Sequence, residues 1–314
     1  MKAVLVINVS SGHSRSDAEY SCQFFEAACA AEKIEAEVEF AEPGRLKEIA
    51  VSACQRARGG EFDAVIVGGG DGSVRCLAGI LAGGNVPLGI LPLGTLNHFA
   101  KDLGVPLDLK GAIHLIAEQE LREIDVCSVN GRTFVNNSSI GIYPYLVLDR
   151  DRRRQLHGMR KWTAMALATW RVLKSFPLRR ITVVTRGKTE RHRTPCLFVG
   201  NNQYGLSSIG LGKRDKLDEG ALWLYIVRPR RPWTFFWMVL RMALGFLDVG
   251  RHLTMVKTDV VEVETAASRL PVALDGEVEI LRSPLRYEIR PKALKVFASR
   301  DRAPSPTSLS IPAR

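Results

Sequence analysis

Ala64-Val65-Ile66-Val67-Gly68-Gly69-Gly70-Asp71-Gly72-Ser73 carries an apolar run directly into a glycine cluster, after which Val74 to Leu81 has helical character. A run this short and rich in Val and Ile reads as a strand, so the glycines lie between a strand's carboxyl end and a helix start. Anions bind well there. Glycine lets the backbone approach a phosphate, while unpaired amides and the helix dipole supply donors and partial positive charge. A dinucleotide fingerprint counted from Gly68 needs Gly or Ala where Ser73 stands, and a Walker A loop needs a Gly-Lys pair that this cluster lacks. Asp71 adds a condition. A carboxylate inside a phosphate cradle repels its ligand unless a metal bridges the two or the carboxylate orients a reacting group, and both point to phosphoryl transfer with Mg²⁺. The competing reading is a glycine turn capped by Asp71.

Working outward, Pro87 to Leu91 is a further short apolar run, and Pro92-Leu93-Gly94-Thr95-Leu96-Asn97 follows it and opens a helix that ends before Gly104. In a parallel sheet this loop sits beside the first, so Thr95 and Asn97 face the same crevice, although Thr95 also suits a plain N-cap. Ser10-Ser11-Gly12 comes after a strand over Ala3 to Asn8 and offers hydroxyls and amides at a third strand end. A strand over Ala36 to Phe40 and a helix whose Leu46, Ile49, Ala50, Ala53 and Ala57 share one face complete the pattern. Residues 1–125 therefore read as a Rossmann-like α/β nucleotide-binding domain with a mostly parallel sheet.

The pattern changes after Ala117. Asn130-Gly131 is a two-residue hairpin signal, and strand-like runs follow at Ile181 to Arg186, Thr194 to Val199, Ala221 to Val227, Val256 to Glu264, Val272 to Leu281 and Leu285 to Ile289. Residues 126–298 are expected to form a mostly antiparallel, β-sandwich-like domain whose last strand can return to the first. Within it, Leu274-Asp275-Gly276-Glu277 by pattern alone reads as an ordinary hairpin turn with Glu277 in solvent; the need of alcohol phosphorylation for a group that takes the hydroxyl proton nominates its carboxylates. Residues 299–314, with Pro304, Pro306 and Pro312 among Ser and Thr, are expected to be a disordered tail.

The chain has 314 residues, enough for two cores, and 44 Lys and Arg against 33 Asp and Glu, a net charge of +11 that favours anionic partners. Nucleic acid ranks lowest among these, since no RNA-binding strand signature or finger spacing is present. The six cysteines form no Cys-x-x-Cys pair, which suits isolated thiols in a reducing cytosol. Ala3 to Ile7 is too short for a signal-peptide core.

Gly68 to Ser73, Pro92 to Ala100, Asn136-Asn137-Ser138 and Leu274 to Glu277 together resemble the diacylglycerol kinase catalytic-domain family, which includes sphingosine kinases and bacterial lipid kinases, over most of residues 1–298. The glycine-Asp-glycine loop is shared with NAD kinases and phosphofructokinases; Gly94-Thr95-x-Asn97 and the Asp-Gly-Glu turn are closer to the lipid branch. The resemblance implies an ATP-dependent enzyme that moves the γ-phosphate to a hydroxyl of a diacylglycerol-like or other lipid, with the active site between two domains. It implies Glu277 as proton acceptor with Asp275 beside it, and ATP contacts from Asn8 through Gly12, Gly69 through Ser73 and Thr95. It also implies a structural Mg²⁺ near Asp218-Glu219-Gly220-Ala221, held by Glu219 and the carbonyls of Lys216 and Ala221, with Glu219 replacing the family's Asp. Further departures are Val9 for Pro, Ser73 for Thr, and His98 where an Asp commonly follows the asparagine. A soluble-substrate kinase of the NAD-kinase type, or a nucleotide-binding regulator that has lost catalysis, are the other readings.

Two segments suit a lipid surface. Arg228, Arg230 and Arg231 precede the apolar run Trp233 to Leu244, too short to span a bilayer and suited either to an interfacial helix or to a buried one; Arg152, Arg153, Arg154 and Arg160 precede a helical pattern with Trp162 and Trp170. The expected partner is a lipid substrate at the membrane surface, reached from the cytoplasm through peripheral contact with the inner face, with a homodimer left open.

Overall fold

Four parallel strands, three of them buried on both faces, set the frame of the first half of the chain. Lys2–Asn8 (β1), Glu35–Ala41 (β2), Ala64–Gly69 (β3) and Leu88–Pro92 (β4) pair in parallel in the order β2-β1-β3-β4. Every residue of β3 and β4 is buried, which explains why these strands read as unbroken apolar runs and not as alternations. The structure, a computed structural model, describes residues 1–9, 21–157, 176, 178–205, 214, 216–244, 246 and 248–299. By internal contacts the chain divides into two compact units, one of Met1–Val126, Asp215–Glu219 and Arg290–Arg314, the other of Cys127–Arg214 and Gly220–Ile289.

In the first unit the crossovers are helices Cys22–Ala31 (α1), Leu46–Arg58 (α2) and Asp71–Leu81 (α3), followed by His98–Leu103 (α4) and Leu109–Ala117 (α5). The buried face of α2 is Ala50, Ala53, Cys54 and Ala57, small side chains at helical spacing that allow close approach to the sheet. Ser21 caps α1 by accepting from Phe24 N–H, and Asp108 caps α5 by accepting from Gly111 N–H. Because the chain goes from β1 to β2 on one side and then to β3 on the other, the strand order reverses at β1/β3. Such a reversal leaves a crevice at the strands' carboxyl ends.

Strand Leu121–Val129 (β5), whose residues from Cys127 belong to the second unit, forms a hairpin with Arg132–Phe134 (β6), and its two-residue turn puts Asn130 and Gly131 at φ 47° and 76°. Asn137–Gly141 (β7) leads into helix Ile142–His157 (α6). Strands Arg179–Thr185 (β8), Lys188–Thr194 (β9), Cys196–Asn201 (β10) and Leu222–Val227 (β11) come next, then helices Pro232–Ala243 (α7) and Val249–His252 (α8). Leu253–Thr258 (β12), Val260–Thr265 (β13), Arg269–Leu274 (β14), Glu277–Arg282 (β15) and Leu285–Phe297 (β16) close the chain. One antiparallel sheet has the order β12-β11-β10-β7-β14-β15; a second joins β9, β8, β13 and the first part of β16. Leu197, Leu224, Val272 and Leu274 from the first pack with Val183, Val263, Leu285 and Tyr287 from the second in one buried core. The fold is thus a parallel α/β unit and an antiparallel β unit, as the sequence pattern implies.

Three runs read as single strands are divided. Pro195, which has no N–H to donate to a ladder, separates β9 from β10. Asp259 separates β12 from β13, where its carboxylate accepts Val260 N–H and Thr258 Oγ1 donates to Val260 O, so that the two halves enter different sheets. Val272 to Leu281 folds back at Asp275-Gly276, the hairpin alternative for that run. The strand at Leu285 instead runs on to Phe297, with residues from Arg290 belonging to the first unit, where Val296 pairs in parallel with Leu88 of β4. Lys188–Thr194, polar throughout, escaped the apolar pattern because it is an edge strand. The two-residue turn of the β8–β9 hairpin is Arg186-Gly187, both at positive φ, and Lys188 and Thr189 already pair in β9, so the Gly187-Lys188-Thr189 triplet is not a strand-to-helix phosphate loop.

Candidate active site

The glycine cluster stands where the strand order reverses. Helix α3 begins at Asp71, three residues earlier than the apolar pattern placed it, with Gly70 as its N-cap; Ser73 N–H closes the first turn on Gly70 O at 2.9 Å, which leaves the amides of Asp71 and Gly72 at the mouth of the crevice. Asn8, the last residue of the neighbouring β1, donates from Nδ2 to Ser73 Oγ at 2.8 Å, which ties the end of β1 to the first turn of α3. A Cβ at Gly68 would collide with Ile7 Cδ1, and one at Gly94 with Gly70 Cα. The two loops therefore touch backbone to backbone, which is why glycine occupies both sides of the contact.

Asp71 supplies a second tie. Its Oδ2 accepts His98 N–H at 3.2 Å and its Oδ1 accepts Phe99 N–H at 3.1 Å, so the carboxylate caps α4, a helix whose own N-cap Asn97 makes no such bond. This revises the argument that a carboxylate among phosphate-binding amides calls for a metal: two backbone amides meet its charge. Asn97 is spent on its own loop. At φ 50° and buried, it accepts Gly94 N–H through Oδ1 at 3.1 Å and donates from Nδ2 to the carbonyls of Gly94 at 2.8 Å and Pro92 at 2.9 Å. Thr95 and Leu96 are left exposed between Gly94 and Asn97. Asn8, Gly68 to Ser73, Thr95 and Asn97 are thus brought together in one unit; Ser10, Ser11 and Gly12 lie outside the described residues.

In the second unit, Asp275 and Gly276 take φ 49° and 90° in the β14–β15 turn. The Asp275 carboxylate accepts three amides of the segment entering β7: Val135 N–H at 2.9 Å on Oδ2, and Asn136 N–H at 2.8 Å and Asn137 N–H at 3.0 Å on Oδ1. Asp275 N–H returns a bond to Asn137 O at 2.9 Å. With Asp275 committed to the backbone, Glu277 is the exposed carboxylate of the turn.

Lys216, exposed, and Glu219, half-buried, fall in the first unit, whereas Ala221, buried, falls in the second. The Ala221 carbonyl accepts Asn202 N–H at 3.0 Å. Among the described residues no group of three or more His, Cys, Asp and Glu side chains converges as a metal cluster.

Residues 2–129 match the diacylglycerol kinase catalytic domain, and residues 149–298 match the YegS C-terminal NAD kinase beta sandwich-like domain. A Pseudomonas aeruginosa (strain UCBPP-PA14) protein named as a YegS-like lipid kinase is 39% identical over 248 residues, spanning 75% of this chain and 76% of its own. The chain belongs to the diacylglycerol kinase catalytic-domain family. A diacylglycerol kinase of Bacillus subtilis (strain 168) is 29% identical over 234 residues, 73% of this chain and 75% of that one. The crystal structure of a diacylglycerol kinase from Bacillus anthracis str. Sterne superposes with a TM-score of 0.72 over 95% of this chain and 97% of its own, at 22% identity, a likeness of fold.

For this diacylglycerol kinase family member, the surroundings of the Asp-Gly-Glu turn add residues that sequence reading passed over. Buried Arg214 donates from Nη1 to Val135 O at 2.7 Å and from Nη2 to Asn136 Oδ1 at 2.6 Å, and Asn201 Nδ2 donates to Val135 O at 2.8 Å. They fix the same segment that Asp275 grips. Tyr143, exposed in the first turn of α6, is the group nearest Gly276, its hydroxyl 3.9 Å from where a Cβ would stand. The Asn201-Asn202 pair ending an apolar strand was the one legible signal, since neighbouring buried amides at a strand end call for partners.

Proposed function

We propose that this kinase transfers the γ-phosphate of ATP to a hydroxyl of a diacylglycerol-like lipid, with Glu277 as the proton acceptor. The observation that carries the reading is the crevice at the β1/β3 reversal, where the Gly68 to Ser73 loop, the Gly94 to Asn97 loop and Asn8 present backbone amides and small polar groups at adjacent strand ends. In the reaction the acceptor oxygen forms a bond to the γ-phosphorus, the bond from that phosphorus to the β–γ bridging oxygen breaks, ADP leaves, and the hydroxyl proton goes to a Glu277 carboxylate oxygen. Asp275 holds the turn so that Glu277 has a fixed origin; it is a positioning residue. Magnesium accompanies ATP in this reading and neutralises charge on the transferring phosphates. Each Asp71 oxygen accepts one amide and keeps a lone pair for a water of the hydrated ion, a donor type that suits magnesium.

The test is incubation with γ-labelled ATP, magnesium and a total lipid extract. A labelled lipid that comigrates with phosphatidic acid supports the reading; label appearing only in water-soluble products, or ADP release indifferent to added lipid, overturns it.

A further inference from the structure

Helix α7 carries apolar side chains on two faces. Its inner face seats buried Met238 and half-buried Phe235 on Tyr225, Val227 and Leu253 of the second unit. Its outer face carries Trp233, 67% exposed, with Phe236 and Trp237, also exposed; the Trp233 ring stacks on Phe236 at 5.7 Å and meets Trp237 edge-on at 5.9 Å. Leu244 and Phe246, the latter 77% exposed, continue this surface past the helix end. Such a contiguous aromatic patch is costly in water and marks a contact surface. Twelve residues span about 18 Å at 1.5 Å per residue, well short of a bilayer core, and no helix among the described residues is long and apolar enough to cross a membrane.

The charge around the patch identifies the partner. Exposed Arg228, Arg230 and Arg231 precede the helix, exposed Arg241 stands in its last turn and exposed Arg251 follows, with Asp248, which caps α8, the acid among them. Arg230 also lines an open cleft of about 630 Å³ with Arg180, Arg191 and Arg193; His192 and one carboxylate, Glu264, share it. Arg180 and Arg193 are directly opposite on β8 and β9, a like-charge cross-strand pair that weakens the ladder, and the guanidinium groups of Arg180, Arg191 and Arg193 make no ion pair among the described residues. An arrangement unfavourable to folding and open to solvent is suited to an external anion. Trp and Phe beside Arg, on a helix too short to span, is the composition that lies in the headgroup layer of an anionic bilayer.

We infer that the outer face of α7 inserts into an anionic phospholipid surface while Arg180, Arg191, Arg193 and Arg230 receive its phosphate headgroups. This deepens the lipid-kinase reading, and rests on it for why a bilayer is the surface met. Full-length protein is sedimented with vesicles of phosphatidylcholine alone or mixed with phosphatidylglycerol. Binding to mixed vesicles is expected to exceed binding to phosphatidylcholine and to weaken with salt. Trp233→Ser/Phe236→Ser/Trp237→Ser, which removes exposed side chains only, should lower the partition coefficient about tenfold or more. Arg180→Gln/Arg191→Gln/Arg193→Gln should lower binding to mixed vesicles and flatten the salt dependence. Both variants should keep the wild-type melting temperature and the wild-type rate on a short-chain diacylglycerol dispersed in detergent, where there is no bilayer. Unchanged vesicle binding in either variant, equal binding to both lipid compositions, or a dimer that the aromatic variant dissociates overturns the inference. Vesicle binding by a protein that phosphorylates no lipid overturns the kinase reading alone and supports the docking face.

Discussion

The glycine cradle of the first unit and the carboxylate turn of the second each depend on an aspartate, and the two are used to different ends. Asp71 reaches across to a neighbouring helix and caps it with two amide bonds, so its role is to join two loops that already touch through Gly70 and Gly94. Asp275 lies at positive φ in a hairpin turn and draws in three consecutive amides of another strand's entry, so its role is to fix the turn itself. The first site is made largely of backbone; the second presents one exposed side chain, Glu277, on which the proposed reaction depends. An aspartate next to glycine in both motifs is therefore first a clamp on backbone.

The contrast can be broken most directly at Glu277. Glu277→Gln keeps the shape and removes the proton acceptor, so kcat for lipid phosphorylation should fall by about 100-fold or more while the melting temperature stays within about 2 °C. Full turnover in that variant would end the assignment. The two clamps should then differ in stability: Asp275→Ala orphans three amides and should cost about 2–4 kcal/mol in urea unfolding, against about 1–2 kcal/mol for Asp71→Ala, which orphans two and leaves the exposed His98 amide to water. Equal losses would show that the turn and the cradle are not built on different principles. Gly94→Ala should cost about 1–3 kcal/mol by forcing the loops apart at Gly70, and should raise KM for ATP more than it lowers kcat.

Much of this was legible because local rules agree with the fold. Strands β1, β3 and β4 are buried on both faces and announce themselves as apolar runs, and Asn130-Gly131 fixes its hairpin because few residues accept positive φ twice. The divisions at Pro195 and Asp259 were legible in principle, from a missing donor and a competing side chain, yet were overridden by β-branched neighbours. The clamps were not legible. Asp71 meets His98 and Phe99, and Asp275 meets Val135 to Asn137, across separations that no periodicity encodes. Arg214 was hidden for the same reason: in sequence it is one charge beside Lys213, Asp215 and Lys216, and its bonds run to Val135 O, Asn201 O and Asn136 Oδ1. The Trp233 helix was ambiguous between core and surface, and it is both: Met238 faces in and Trp233 faces out.

The return of β16 to β4 has a consequence for synthesis. The first unit takes its Val296 pairing, and the Asp125 contact to Lys292 N–H at 2.8 Å, from the end of the chain. A ribosome that has just made β4 must still polymerise some 200 residues before that partner exists, about 10 to 40 seconds at 5–20 residues per second. Throughout that interval the nascent chain carries an unpaired β4 edge, buried on both faces in the finished enzyme and a template for the wrong strand until its own arrives. The order of elements along the chain thus leaves a sheet edge open for most of its synthesis.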